Sequence, residues 1–317
     1  MHKDKNSLSI IMYHYVQKKN NFNKGLKFLD YKNFIGQLDY LKKKYIILSP
    51  DEAKKKLLEK KSFQKKFCWL TFDDGYKEHY NIVFPELEKR NIKASFFPTI
   101  KPISKNIILE VNKIQLILGR IDKTTILKEI KNYYNSKLKY KISFEDYASK
   151  IKLSNQFDDK QTTLIKQLLQ KIIPEKHRFN LNNFLLDKYF KQNQREISKK
   201  MNLNKKDLIE MSNNGHEIGI HSYDHPHFDF LNEKKQRLQI SKSISFLKKN
   251  NLPTQNLTIN YPYGAHNKIT DRILKKINNI KFGLTIKSKV IYTKKNDLMY
   301  LPRIDTVDLL KKNENKK

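Results

Sequence analysis

Four side chains in two clusters carry the strongest chemical signal in the chain. The run Thr71-Phe72-Asp73-Asp74-Gly75-Tyr76 sets two carboxylates side by side, and His221-Ser222-Tyr223-Asp224-His225 sets two imidazoles four residues apart. One carboxylate with two histidines is a facial ligand set for Zn²⁺ or a similar divalent ion, with coordination positions left open. The second carboxylate is then left over to act as a base. Together they point to a metal-dependent hydrolase. Taken alone, the Asp pair is explained equally well as the cap of a following helix, a position for which Asp is suited.

The elements that must position these groups are legible beside them. Phe67-Cys68-Trp69-Leu70 leads into the carboxylates and Glu217-Ile218-Gly219-Ile220 into the imidazoles. Both read as buried strands, with the polar cluster where the strand emerges, the end at which open α/β and barrel folds concentrate function. Neighbouring strand residues point to opposite faces, so Asp73 and Asp74 share a site only at a strand's end; Gly75 supplies backbone freedom for the exit. Four extended residues span about 13 Å, so His221 and His225 can meet only if the chain curls after His221. Ser222, Asp224 and Pro226 suit such a turn. His216 falls on the opposite face of the strand and reads as structural, and His227 is an outside candidate.

Strand and helix patterns alternate along the rest of the chain. Strands are predicted at Leu8 to Tyr13, Tyr45 to Leu48, Ala94 to Phe97, Leu257 to Tyr261, Phe282 to Ile286 and Met299 to Ile304. Helices are predicted at Asp30 to Lys44, Lys77 to Lys89, Glu233 to Lys249 and Asn267 to Ile277. This is the rhythm of an α/β fold with a parallel sheet or barrel covered by helices. Residues 101–200 break it. Leu164, Ile165, Leu168, Leu169 and Ile172 follow helical spacing, and Phe184, Leu185, Lys188 and Tyr189 suggest another helix. The interval reads as a mostly helical insertion over one face of the core, there to pack or to wall the substrate. One domain over residues 1–310 and a disordered tail at 311–317 complete the expected organisation.

The 317 residues carry a net charge of +33, which suits phosphate-bearing partners. The lysines are spread along the chain among abundant Asn and Ile, and no nucleic-acid recognition motif accompanies them; nucleic acid is not the expected partner. Anionic lipid headgroups or phosphorylated glycans need no specific motif. Cys68 is the one cysteine; it lies in an apolar strand, where an inert core role is expected. It forms no internal disulfide, which favours a reducing compartment. The apolar stretch Leu8 to Tyr13 is too short for a signal h-region, and no run approaches the roughly 20 apolar residues of a spanning helix. The expected location is cytoplasmic, with peripheral contact at the inner membrane face.

A third cluster, Asn260-Tyr261-Pro262-Tyr263-Gly264, is a Pro-aromatic-Gly turn that could aim a backbone N–H into the site, the donor an oxyanion hole needs. Taken in order, the three clusters resemble the motifs of the polysaccharide deacetylase family, carbohydrate esterases related to chitooligosaccharide deacetylase. Thr71 to Gly75 matches the first motif, His221 to His225 the second, and Pro262-Tyr263-Gly264 part of the third. The resemblance implies a distorted (β/α) barrel of about seven strands, with Asp74, His221 and His225 on the metal, Asp73 as general base and the Tyr263 amide on the oxyanion. Zn²⁺ is the expected ion, with Fe²⁺, Co²⁺ and Ni²⁺ as alternatives. Two departures stand out. The family's usual Arg two positions before the third-motif Pro is here Asn260, and Arg303, at the end of the last predicted strand, could replace it. The family's late Leu-x-His motif, source of the general acid, is missing; His14 is favoured instead, as in a circularly permuted branch that brings its acid from an N-terminal strand.

The expected reaction is removal of an acetyl group from an N-acetylated sugar of a glycan or glycan precursor. Without an export signal, a lipid-linked or nucleotide-linked precursor in surface-glycan assembly is the favoured substrate. Two alternatives stay open: an O-acetyl sugar esterase, which needs less help from an acid, and a non-catalytic glycan-binding protein that retains the fold.

Overall fold

Lys66–Asp74 buries nearly every residue along its length, as a strand in a parallel sheet covered on both faces must. Each of Leu70 and Phe72, fully buried, contributes about 1.5–3 kcal/mol of hydrophobic stabilisation. The computed structural model of the protein describes residues 6–18, 28–59, 62–137, 158–292 and 297–309. Its strands are β1 (Ser7–Tyr13), β2 (Val16–Gln17), β3 (Leu29–Asp30), β4 (Ile46–Ile47), β5 (Lys66–Asp74), β6 (Ser95–Pro98), β7 (Glu217–Ile218), β8 (Leu257–Asn260), β9 (Ile280–Leu284) and β10 (Ile304–Asp305).

The main sheet runs β10-β1-β5-β6-β7, with β4 also on β5, and all of these pairs are parallel. A separate parallel pair joins β8 to β9. Isolated parallel bridges at Ile220–Ile259 and Leu284–Leu301 carry the order on from β7 towards β8 and from β9 towards β10. The result is a mostly parallel α/β fold whose continuous pairing is interrupted at two places. The register between β1 and β5 sets Tyr13 opposite Phe72, so His14 follows β1 at the level of Asp73.

The chain divides into two compact units. The first, residues 1–18, 28–105 and 199–317, holds the sheet. The second, residues 19–27 and 106–198, is helical where described: Glu110–Arg120, Lys123–Lys137, Lys160–Gln167 running into a π turn at Leu168–Ile172, and Glu175–Tyr189. Its interior is aliphatic, with Ile114, Ile117, Ile130, Ile165, Leu181 and Leu185 buried. Buried Lys113 is satisfied by Glu110 Oε1 (2.6 Å) and Asn183 Oδ1 (2.7 Å).

Several boundaries differ from those read in the sequence. The helix Glu233–Lys249 matches to the residue, and the Asn232 side chain caps it by accepting from the Lys235 amide. The predicted helix at Lys77 to Lys89 begins as a π turn at His79–Val83 and becomes α-helical at Phe84–Lys89. The strand expected at Met299 to Ile304 is β10 alone with one bridge at Leu301, because Pro302 has no N–H to give a ladder. The strand expected at Phe282 to Ile286 begins earlier and stops at Leu284. The expected tail 311–317 lies outside the described residues. Among the described residues no helix is long and apolar enough to cross a membrane.

Candidate active site

Asp73 and Asp74 end β5, and the backbone turns between them and Pro98. Asp74 adopts φ +73° and Gly75 φ +78°. A Cβ on Gly75 would lie 2.7 Å from Pro98 Cβ, so this exit admits only glycine. The left-handed turn sends the two carboxylates to different partners within one site.

Asp74 faces the second cluster. After His221 the chain curls as the spacing requires, with Ser222 at φ +65° and His225 at φ +60°. Ser222 Oγ accepts from the His225 amide (3.0 Å). Gln239, on the helix Glu233–Lys249, accepts from the amides of Tyr223 and Asp224 and donates to Asp224 Oδ1. His221 Nδ1 donates to the Asn260 carbonyl (2.9 Å), which leaves its Nε2 facing inward. Asp74 Oδ1 lies 3.3 Å from His221 Nε2 and 3.4 Å from His225 Nε2, and the two Nε2 atoms are 3.1 Å apart. Donor atoms about 2.0–2.2 Å from a common ion, at tetrahedral to octahedral angles, lie about 3.0–3.5 Å from one another. The triangle therefore fits one divalent ion. Asp74 Oδ2 is held from behind by the Tyr76 hydroxyl (2.7 Å).

The electrostatics favour the same use. Burial would raise the Asp74 carboxyl, but the His221 hydrogen bond and the nearby His225 outweigh it and hold it far below the ordinary carboxylate range. Burial, with the charge of His221, pushes His225 down to about 4, so its ring is neutral near pH 7 and free to serve as a ligand. At His221 burial is opposed by Asp74 and Asp73, and the affinity for a proton rises. A metal ion would take the place of that proton.

Asp73 faces the other way, to a buried guanidinium. Arg303 Nη1 donates to Asp73 Oδ1 and Nη2 to Oδ2, both at 2.8 Å, a two-pronged pair with both side chains almost wholly buried. The same guanidinium donates to Asn260 Oδ1 (2.8 Å), Thr71 Oγ1 (3.2 Å) and the Thr285 carbonyl (3.0 Å). Burial would raise the Asp73 carboxyl; the charge of Arg303, helped by His14, holds it down at about 2. Arg303 thus stands against Asp73, and Asn260 stands against Arg303.

His14 Nε2 lies 3.6 Å from Asp73 Oδ2, and the His14 side chain is 42% exposed. Its carbonyl accepts from Nε2 of His79 (2.7 Å), a buried ring among Phe72, Tyr76 and Phe96. Burial pushes His79 down to about 4, so it is a neutral donor. Tyr263 sits in the third-motif turn at φ +58°, ψ +12°, its ring 4.6 Å from that of His225. All the residues singled out in the sequence (His14, Asp73, Asp74, His221, His225, Tyr263, Arg303) therefore converge on the strand ends of β1, β5, β8 and the segments after β7 and before β10.

The other histidines sort as the spacing suggests. His216 accepts from the Ala94 amide and pairs with Glu88; it is structural. His227 is stacked on Tyr263 and lies outside the ligand triangle. Tyr76, His79 and Gln239 are supporting residues that the sequence reading does not single out, and Asn260, noted there only as a departure, accepts from Arg303. Tyr76 adjoins the Asp pair and gives a signal; His79 and Gln239 depend on long-range contacts that spacing does not reveal.

Several known proteins are similar to this chain. Residues 60–132 and 147–280 match the polysaccharide deacetylase family model. A Bacillus subtilis (strain 168) protein named as a polysaccharide deacetylase, YxkH, is 33% identical over 97 residues, covering 30% of this chain and 33% of that protein. The chain thus aligns with about a third of that relative's length. Among solved structures, Streptococcus pyogenes deacetylase PplD in complex with acetate superposes with a TM-score of 0.59 at 20% identity, covering 97% of this chain and 98% of that one. IcaB from Ammonifex degensii gives 0.58 at 18% identity, covering 96% and 93%. A de-N-acetylase from Aggregatibacter actinomycetemcomitans gives 0.52 at 15%, covering 94% of each. At these identities the likeness establishes a shared fold.

Proposed function

The chain belongs to the polysaccharide deacetylase family, and we propose that it is a metal-dependent hydrolase that removes the acetyl group from an N-acetylated sugar of a glycan or glycan precursor. The observation that carries this reading is the meeting, at one set of strand ends, of the Asp74–His221–His225 triangle with the Arg303-clamped Asp73 and with His14. Proteins of similar fold, a deacetylase in complex with acetate and a de-N-acetylase among them, support the same chemistry.

Asp74, His221 and His225 would hold the divalent ion, with Zn²⁺ as the expected species. A bound ion of this kind polarises a carbonyl and makes an attacking water more acidic. Asp73, kept ionised and aimed by Arg303, accepts the water's proton as the new C–O bond forms. The Tyr263 N–H donates to the carbonyl oxygen as that oxygen gains charge. Collapse breaks the C–N bond, and the departing nitrogen must be protonated; His14 gives it that proton. Acetate and a free amine are the products. An ester would leave with less help, so a placed acid favours the N-acetyl substrate over the O-acetyl one. Phosphate-bearing forms of a precursor, lipid-linked or nucleotide-linked, suit a chain of net charge +33.

Three results are expected from purified protein and a panel of acetylated amino sugars. Chelation will abolish acetate release and Zn²⁺ will restore it. His221→Ala will weaken Zn²⁺ binding in a direct titration by more than about 100-fold, beyond the loss typical of outer-shell changes; unchanged binding would refute the ligand assignment. His14→Ala will lower turnover of N-acetyl substrates by about 10²–10⁴-fold and that of O-acetyl esters far less. Equal losses on both would remove His14 from the acid role, and release from O-acetyl esters alone would make the protein an esterase.

A further inference from the structure

Close to the site lies a row of aromatic rings that the reaction does not use. The His227 ring stacks on Tyr263 with centroids 3.9 Å apart and planes 2° from parallel. Phe230 continues the row at 5.3 Å from His227. Tyr263 itself touches the ligand His225, so the rings lead outward from the metal triangle one at a time. Phe230 is 77% exposed, the highest exposure among the described large apolar side chains, and Tyr263 is 40% exposed.

Phe230 is not on a loose loop. It ends a single turn of helix, Phe228–Phe230, whose first residue is fully buried. The amide of Gln236, itself fully buried, donates to the carbonyls of Phe228 (2.9 Å) and Leu231 (3.0 Å), on either side of Phe230. Gln236 Oε1 accepts from Thr270 Oγ1 (2.8 Å), which ties the turn to the helix Lys268–Leu274. The fold therefore holds a large apolar ring in water, in a fixed place, beside a reactive centre. Fixed exposed apolar surface with a polar rim marks a ligand-binding surface. The rim here is His227 and Asp229, with side chains 34% and 40% exposed and 3.9 Å apart.

We infer that Phe230, with the His227–Tyr263 stack, is a platform for a pyranose ring of the glycan, next to the sugar that is deacetylated. The inference rests on the deacetylase reading for the identity of its ligand. A pyranose offers an apolar C–H face to an aromatic ring and hydroxyls around its edge to groups such as His227 and Asp229. Because Phe230 lies two rings beyond Tyr263 in the row, the sugar it holds is a neighbour of the reacting one, and short substrates do not reach it. The platform makes the enzyme selective for oligomers over monomers.

The test uses the full chain loaded with Zn²⁺ and N-acetylglucosamine oligomers of increasing length, with p-nitrophenyl acetate as a substrate too short to reach the platform. Phe230→Ala is expected to lower kcat/KM on the tetramer about five- to tenfold, mainly through KM. Turnover of p-nitrophenyl acetate will stay within about twofold of the parent, since ordinary enzyme chemistry is untouched. Phe230→Tyr will restore the tetramer value. Loss on both substrates, or on neither, overturns the platform. Tetramer binding to the chelated protein, measured by calorimetry, separates this inference from the reading beneath it. Binding that needs Phe230 without acetate release keeps the platform and sinks the deacetylase; acetate release indifferent to Phe230 does the reverse. Neither binding nor release would sink both.

Discussion

Asp73→Asn will lower turnover by about 10²–10⁴-fold, the range lost when a positioned base is removed, while Zn²⁺ affinity stays close to that of the parent. The separation follows from the geometry. Asp73 gives both oxygens to Arg303, whereas the ligand triangle is made by Asp74 Oδ1 and the two Nε2 atoms. An amide keeps the size of the side chain and loses its negative charge, so the water's proton has no acceptor. The variant should also keep binding glycan, which distinguishes an enzyme from a binding protein that has merely retained the fold. Full activity in Asp73→Asn, or Zn²⁺ affinity lost in parallel with the rate, would contradict the division of labour between the two carboxylates.

The second large effect is on stability. Arg303→Met will cost about 3–5 kcal/mol near pH 7, because it strands a buried carboxylate without its cation. The comparison is made by denaturant titration in chelator, so that metal binding does not contribute. Its pH dependence has a definite sign. The Asp73 carboxyl is held at about 2 in the folded protein, below its ordinary 3.8. A depressed carboxyl stabilises the fold fully above its unfolded value and progressively less as pH falls towards the folded value. The parent's share of the difference should therefore be complete above about pH 4 and shrink between 3.8 and 2, while the variant, whose buried carboxyl has lost the guanidinium, loses further stability as pH rises above 4. A difference under about 1 kcal/mol at pH 7, the size of an exposed pair, would mean that the clamp is not formed in solution. Arg303→Lys should recover part of the stability and little of the rate, since one ammonium cannot make the two-pronged contact.

Much of this site could be read from residue types and spacing. The Asp pair at a strand's end and the curl between His221 and His225 follow from strand geometry alone, and both are observed. Arg303 and His14 stand out in the sequence only as replacements for two missing family residues. The register of β1 on β5, which brings His14 to the level of Asp73, was invisible without the sheet. Elsewhere local signals were present and unused. Ser49 and Glu52 form a capping box ahead of the helix Pro50–Leu58, a pattern legible in sequence, yet no helix was expected there. The last strands were over-extended for the opposite reason: an apolar run suggested a ladder, while the pairing near Leu301 is one bridge followed by Pro302. Asn260 was noted as a departure from the family. Its contact with Arg303 shows why the smaller residue belongs there, since a second guanidinium would compete for the same carboxylate.

Asn260 and Arg303 also bear on how the protein is born. Translation delivers Asp73 early, within the longest strand of the sheet, and delivers the guanidinium that neutralises it some 230 positions later. Until that segment leaves the ribosome, β5 has no cation for the carboxylate it is built to bury. Docking of β10 against β1 then covers the free edge of β1 and completes the charge pair together. The order of synthesis therefore makes the Asp73–Arg303 pair a late contact of the candidate site, formed only after Asp74, His221 and His225 have all been made.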